Sequence, residues 1–189
     1  MNDPWKTRIG LRPIGAYLAF MRDLVVDMNA QTVVELGVNV GDSTLALLSG
    51  VAETDGHLCS CDMQDYPQTR RVVEGCGLAG HWTYIVDDCM EWGKTWRGPA
   101  IDLLLQDALF DAVGGEAALK IFAPLIRPSG KMLLHGITSP EHRGGVLAGL
   151  AAFMETESAK TSWSTIAPPL RWTVIYHVFN HGMAELTRT

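Results

Sequence analysis

The sequence has little of what would mark a secreted, membrane-spanning or nucleic-acid-binding chain. Its four cysteines, Cys59, Cys61, Cys76 and Cys89, include no C-x-x-C pair, so the usual spacing of a metal knuckle or redox motif is missing. Cys59 and Cys61 fall in a run that reads as buried strand, where cysteine behaves as a small hydrophobe. A reducing compartment is the expectation. No apolar run approaches the roughly 20 residues of a membrane span, and the N-terminal MNDPWKTRIG lacks the basic-then-apolar order of a signal peptide. These absences predict a cytoplasmic protein with no membrane partner. Positive charge is also short: 15 Lys and Arg against 21 Asp and Glu give a net charge of −6 and a pI near 5.4. Binding a phosphate backbone relies on basic side chains that release counterions, so nucleic acid is a disfavoured partner.

What is present is a chain of 189 residues, 47% hydrophobic, enough to bury one good core. A single domain over 1–189 is expected, with a helical N-terminal segment (1–30) ahead of a core over 31–189. In IGAYLAFMRDLVVDM (14–28), Ile14, Leu18, Met21 and Val25 recur at helical spacing. Strands then alternate with helices. QTVVELG, HLCSCD (57–62), WTYIVD (82–87), IDLLLQ (101–106) and KMLLHG (131–136) read as strands. Helices are expected near 42–51, 67–76, 90–96, 115–126 and 141–155, with RPSG as a turn before KMLLHG. TSWSTIA (161–167) and RWTVIYHVF (171–179), joined by Pro168 and Pro169, are expected to pair as an antiparallel hairpin. The pattern specifies an α/β fold: a doubly wound, Rossmann-like, mostly parallel seven-stranded sheet with an antiparallel C-terminal strand.

In such a sheet ligands bind at the carboxyl ends of the strands. The first end carries VVELGVNVGDST (33–44), where Gly37 and Gly41 allow sharp turning and close approach. The pattern G-x-x-x-G departs from the G-x-G-x-x-G of dinucleotide folds. Glu35 would repel a pyrophosphate and would favour a ligand carrying an ammonium or sulfonium. Asp62 ends the second strand, 21 residues past Gly41, where a carboxylate can hold a ribose. Asp87 and Asp88 end the third, and either meet an adenine edge or cap the next helix.

Together VVELGVNVGDSTLAL, CDMQD, YIVDDCMEW, IDLLLQDALFD and APLIRPSGKMLLHGI resemble the class I S-adenosylmethionine-dependent methyltransferases, in the catechol and caffeoyl-CoA O-methyltransferase-like branch. The resemblance covers roughly residues 14–180. It implies S-adenosyl-L-methionine as cofactor, with Glu35, Gly37, Asn39, Gly41 and Ser43 at its methionine end and Asp62 on the ribose. Asp88 would meet the adenine amino group, with Cys89 beside it and Met63 and Trp92 packing on the ring. Asp107 would lie at the reacting end of the cofactor. A small-molecule acceptor and a homodimer are expected, and Trp5, Trp92 and Trp172 either fill the core or border the acceptor.

The resembled branch binds a divalent metal through an Asp after strand four and an Asp-Asn pair after strand five. This chain keeps Asp107 but has His135 and Gly136 at the other positions, a poor donor set for Mg²⁺. The expectation is no metal, with His135 as general base and Asp107 orienting it or the acceptor. A softer metal on Asp107, His135 and His142 is the lesser alternative. His177 and His181, if on one strand, would stand ~13 Å apart, too far to share a metal. Two other classes stay open: a cofactor-binding partner without catalysis, and a nicotinamide oxidoreductase, against which the missing glycine and Glu35 both argue.

Overall fold

Alternation along each strand decides the layering. In the computed structural model, which describes residues 3–160 and 170–189, Val33, Leu103, Leu105 and Leu133 point into one hydrophobic cluster. Their neighbours Val34, Leu36, Leu104, Met132 and Leu134 point into a second cluster on the other face of the sheet. This is the period-2 division that a sheet covered on both faces requires.

In chain order the elements are α1 (Leu18–Asp27), β1 (Thr32–Leu36), α2 (Asp42–Thr54), β2 (His57–Asp62), α3 (Pro67–Gly75), β3 (Trp82–Val86), α4 (Cys89–Lys94) and β4 (Ile101–Gln106), followed by α5 (Ala112–Phe122), β5 (Ile126–His135), α6 (Gly145–Ala159), β6 (Trp172–His177) and β7 (Met183–Arg188). Short 3-10 turns, Pro4–Arg8 and Pro13–Tyr17, precede α1. Helices α1 to α3 supply the first cluster and α4 to α6 the second. The sheet runs β3-β2-β1-β4-β5-β7-β6, with β3 to β5 parallel and β5, β7 and β6 antiparallel. Strand order reverses between β1 and β4, which puts the crevice of a doubly wound sheet at the carboxyl ends of those two strands.

Two expectations change. RWTVIYHVF forms β6, but its antiparallel partner is β7, MAELTR, which the sequence reading did not anticipate. The expected partner, TSWSTIA (161–167), lies outside the described residues. RPSG is not a turn ahead of a strand: it lies inside β5, where the register with β4 shifts and Ser129 takes a φ of 61°. At the amino ends of the strands Asp102 closes the sheet, its Oδ2 accepting the Gln31 and Thr32 amides at 2.8 Å each. Burial opposes the charge on Asp102, but the Arg127 guanidinium and those two amides outweigh it and hold the carboxyl below its usual value.

Candidate active site

The carboxyl ends of β1 to β4 open onto a cavity of about 380 Å³ lined by the loop after β1 and by Asp62, Met63, Asp88, Cys89 and Asp107. This volume falls within the range of small-molecule sites. Gly37 and Gly41 adopt φ of +96° and +81°. A Cβ on Gly37 would lie 2.5 Å from the Asp107 carbonyl oxygen, and one on Gly41 would lie 2.4 Å from Thr69 Cγ2. Both glycines are therefore demanded first by the protein's own packing: they let the loop seat between the end of β4 and α3. Asn39 turns the loop at φ 46°. Its carbonyl accepts the Thr69 hydroxyl at 3.0 Å.

Glu35 sits one layer beneath the cavity, not on its wall. It is fully buried under α2, accepting hydroxyl hydrogen bonds from Ser43 (2.6 Å), Thr44 (2.8 Å) and Ser60 (2.6 Å). Burial pushes its carboxyl up to about 7, against the pull of the three hydroxyls. Period-2 alternation explains the placement, since residues 33 and 35 share the α2 face while 34 and 36 face away. Ser43 lines the cavity while its hydroxyl donates inward to Glu35.

Asp62 accepts the Val38 amide at 2.8 Å and the Asn39 amide at 3.4 Å through Oδ2, and the Gln64 amide at 3.0 Å through Oδ1. It thus fixes the loop after β1 while lining the cavity. Asp88 caps α4, accepting the Met90 amide at 2.7 Å, and also lines the cavity. Met63 lies at the mouth, 72% exposed, while Cys89 is buried with its thiol donating to the Cys61 carbonyl at 3.5 Å. Trp92 does not reach the cavity. It packs against Trp96 and Phe122 in the core, as Trp172 packs against Phe153, and Trp5 is buried in the opposite cluster.

The ends of β4 and β5 bring Asp107 and His135 together. Gln106 pairs with Leu134 in parallel register, so the next residues on the two strands are neighbours. His135 Nδ1 and Asp107 Oδ1 are 2.8 Å apart. The Asp107 amide donates to the Leu36 carbonyl at 2.9 Å, and the buried Gln106 side chain pins the Ala108 and Leu109 amides, which fixes the loop behind it. His135 is 6% exposed and its Nε2 has no partner among the described residues. Tyr17 meets its ring edge-on at 5.9 Å, and the His181 ring lies at 6.5 Å. His181 sits in the turn between β6 and β7, not on a strand with His177.

The residues at the metal positions of the resembled branch do not form a metal set. Gly136 has no side chain, its φ is +85°, and a Cβ there would lie 2.9 Å from His142 Cδ2. His142 instead stacks on Phe110 at 3.9 Å, and burial holds it below the ordinary imidazole value against the opposing charge of Asp107. Among the described residues no group of three or more His, Cys, Asp or Glu side chains is arranged to hold a metal ion. No helix among them is long and apolar enough to cross a membrane.

The sequence pointed to the N-terminal segment and to ALFDAVGG (108–115) as stretches that shape acceptor choice, but it gave several cavity residues no role of their own. Arg12 and Ile14 reach it from the N-terminal segment, and Tyr66 and Phe110 from the loops after β2 and β4. Loop residues carry no periodicity, but a sequence neighbour of an expected site residue, such as Tyr66 after Met63, could have been included on proximity alone.

The methyltransferase domain family matches residues 34–137, from β1 through the dyad to the residue after Gly136. The chain belongs to that family. Solved structures share its fold. A cofactor-bound protein, Rv0187 from MTB, is 20% identical over 91% of this chain and 79% of its own, with a TM-score of 0.72. An O-methyltransferase from Bacillus cereus in complex with SAH is 17% identical over 92% and 81%, with a TM-score of 0.71. A candidate rRNA methylase from Clostridium thermocellum is 15% identical over 94% and 98%, with a TM-score of 0.68. No curated protein matches the sequence.

Proposed function

We propose that the protein transfers the methyl group of S-adenosylmethionine to the hydroxyl of a small molecule, with His135 as general base and Asp107 as the residue that orients it. The observation that carries this reading is the condition of the His135 ring. Its Nδ1 is committed to Asp107 while its Nε2 is buried and unpartnered. A carboxylate at Nδ1 selects the tautomer in which that nitrogen carries the proton, leaving the lone pair on Nε2. An unpaired buried polar atom costs roughly 1–3 kcal/mol, which an acceptor hydroxyl donating to Nε2 would recover. The same contact is the path by which that hydroxyl gives up its proton.

When bound, the cofactor supplies a methyl group on a sulfonium, open to in-line displacement. The chain's task is positional. Strand order supports it: Asp88 and Asp62 lie toward the β3 side for adenine and ribose, the loop after β1 comes next for the methionyl half, and Asp107 and His135 follow for the acceptor. Ribose binding would use Asp62 lone pairs beyond those given to the Val38 and Gln64 amides. The acidic net charge favours a small acceptor over RNA, and free thiols at Cys59, Cys61, Cys76 and Cys89 suit a reducing cytoplasm.

Calorimetric titration with S-adenosylmethionine and S-adenosylhomocysteine, repeated with EDTA and with Mg²⁺, tests the reading, followed by turnover on a panel of small hydroxyl acceptors. Binding and turnover that ignore the chelator are expected. Absence of binding overturns the cofactor, turnover that stops in EDTA overturns the base, and binding without transfer favours a non-catalytic partner.

A further inference from the structure

We infer that Arg12 is the anchor for the cofactor's carboxylate. This rests on the S-adenosylmethionine reading, and it comes from the charges around the cavity. Among the described residues four carboxylates line it, those of Asp42, Asp62, Asp88 and Asp107, and Arg12 is the sole Lys or Arg of that lining. The proposed cofactor carries an ammonium and a sulfonium, which such a wall stabilises, and one carboxylate, which it repels. That carboxylate is matched by the Arg12 guanidinium.

The surroundings of Arg12 leave it free to act. Asp42, 3% exposed, accepts Arg8 Nη1 at 3.0 Å on Oδ1 and Arg12 Nη1 at 2.7 Å on Oδ2. Two guanidiniums against one carboxylate leave one positive charge in excess. Arg8 is 24% exposed and lines a separate groove behind α2, whereas Arg12 is 44% exposed and lines the cavity. Among the described residues the Arg12 side chain spends a single hydrogen bond, on Asp42, so the remainder of its planar fork is available for paired hydrogen bonding to a carboxylate.

Local sequence fixes where that fork stands. Arg12 precedes Pro13, which disfavours helical backbone at position 12. Its φ and ψ are −143° and 166°. The pair with Asp42 then holds the guanidinium at the first turn of α2, beside the loop assigned to the methionyl half.

The test is a ligand-truncation cycle by calorimetry. Wild type, Arg12→Ala, Arg12→Lys and Arg8→Ala are titrated with S-adenosylhomocysteine and with 5′-methylthioadenosine, which keeps the nucleoside and thioether but has no carboxylate. Arg12→Ala should weaken S-adenosylhomocysteine by about 10- to 100-fold and leave 5′-methylthioadenosine within about twofold. Arg12→Lys, which keeps the charge without the fork, should lose less. Arg8→Ala should leave both affinities nearly unchanged. Equal weakening of both ligands by Arg12→Ala would overturn the proposal, because Arg12 would then act only by seating the N-terminal segment on Asp42. Undiminished S-adenosylhomocysteine affinity would overturn it as well. Wild-type protein that binds neither ligand refutes the cofactor reading itself, an outcome distinct from either.

Discussion

Asp107 and His135 lie one residue past a register-matched pair of parallel strands, and the 2.8 Å contact from Nδ1 to Oδ1 follows from that register. Neither side chain has to reach. His135→Gln keeps a polar side chain but removes the basic nitrogen, so kcat should fall by about 10²- to 10⁴-fold with the affinity for S-adenosylhomocysteine changed less than threefold. Asp107→Asn keeps an acceptor for Nδ1 but loses the charge that stabilises the imidazolium formed on proton transfer. It should lower kcat by about 10²-fold or more. Single-turnover rates with a saturating acceptor measure both, and a His135→Gln enzyme turning over at the wild-type rate rejects the base.

Tyr17 connects the N-terminal segment to this dyad. It is 1% exposed, its hydroxyl serves the backbone carbonyls of His177 and Phe179, and its ring meets His135 edge-on. Burial pushes the phenol up to about 12, so it stays a neutral donor. Tyr17→Phe removes the one proton that the His177 and Phe179 carbonyls share, the Phe179 carbonyl keeping the Gly182 amide, and should cost about 1–2 kcal/mol of stability. Urea denaturation at fixed pH reads this directly, and a midpoint equal to wild type would show that the hydroxyl holds nothing.

The alternating order was legible because each parallel strand is an apolar run set between helical stripes with turn residues at the joints. β7 was not legible, because MAELTR interrupts its apolar residues with Glu185, which burial alone would expel. Its carboxylate is held below the usual value despite burial, by Lys131 at 2.6 Å and His177 at 3.3 Å. Both partners lie on other strands, out of reach of local reading. In the site, the acids at strand ends could be found from position, whereas Arg12 could not: its partner Asp42 is 30 residues away, and the helical stripe of α1 between them shows that the helix packs without showing which residue it brings to Arg12. Glu35 was visible as an acid at a strand end, and only the face it occupies was misjudged.

Glu35 makes stability depend on pH. Folding raises its carboxyl from 4.5 to about 7, so between those values the folded state binds more protons than the unfolded chain. The stabilisation is fully present below about pH 4.5 and is lost as pH rises to about 7. The difference corresponds to on the order of 3 kcal/mol. Glu35→Gln is neutral throughout, so its stability relative to wild type should improve by that amount across this window. Guanidinium denaturation of both proteins at intervals from pH 4.5 to pH 8 gives the difference curve, and a flat one would mean that folding does not raise the Glu35 carboxyl above its unfolded value.

Gly37 and Gly41 share a positive φ but differ in what a side chain would strike. At Gly37 the obstacle is the carbonyl of Asp107, at 2.5 Å from an added Cβ, and that backbone cannot move without shifting the Asp107 side chain that contacts His135. At Gly41 it is the methyl of Thr69, at 2.4 Å, on a side chain that a substitution can trim. Gly37→Ala should therefore lose roughly 2 kcal/mol or more, together with most of the turnover. Gly41→Ala should be similarly destabilised alone but partly recover with Thr69→Ser, which removes the methyl and keeps the hydroxyl for the Asn39 carbonyl. The strain of an L-residue at φ +81° remains in the double variant, so full recovery is not expected. Thermal melts of the three variants decide it, since no rescue by Thr69→Ser would place the cost of Gly41→Ala in the backbone alone.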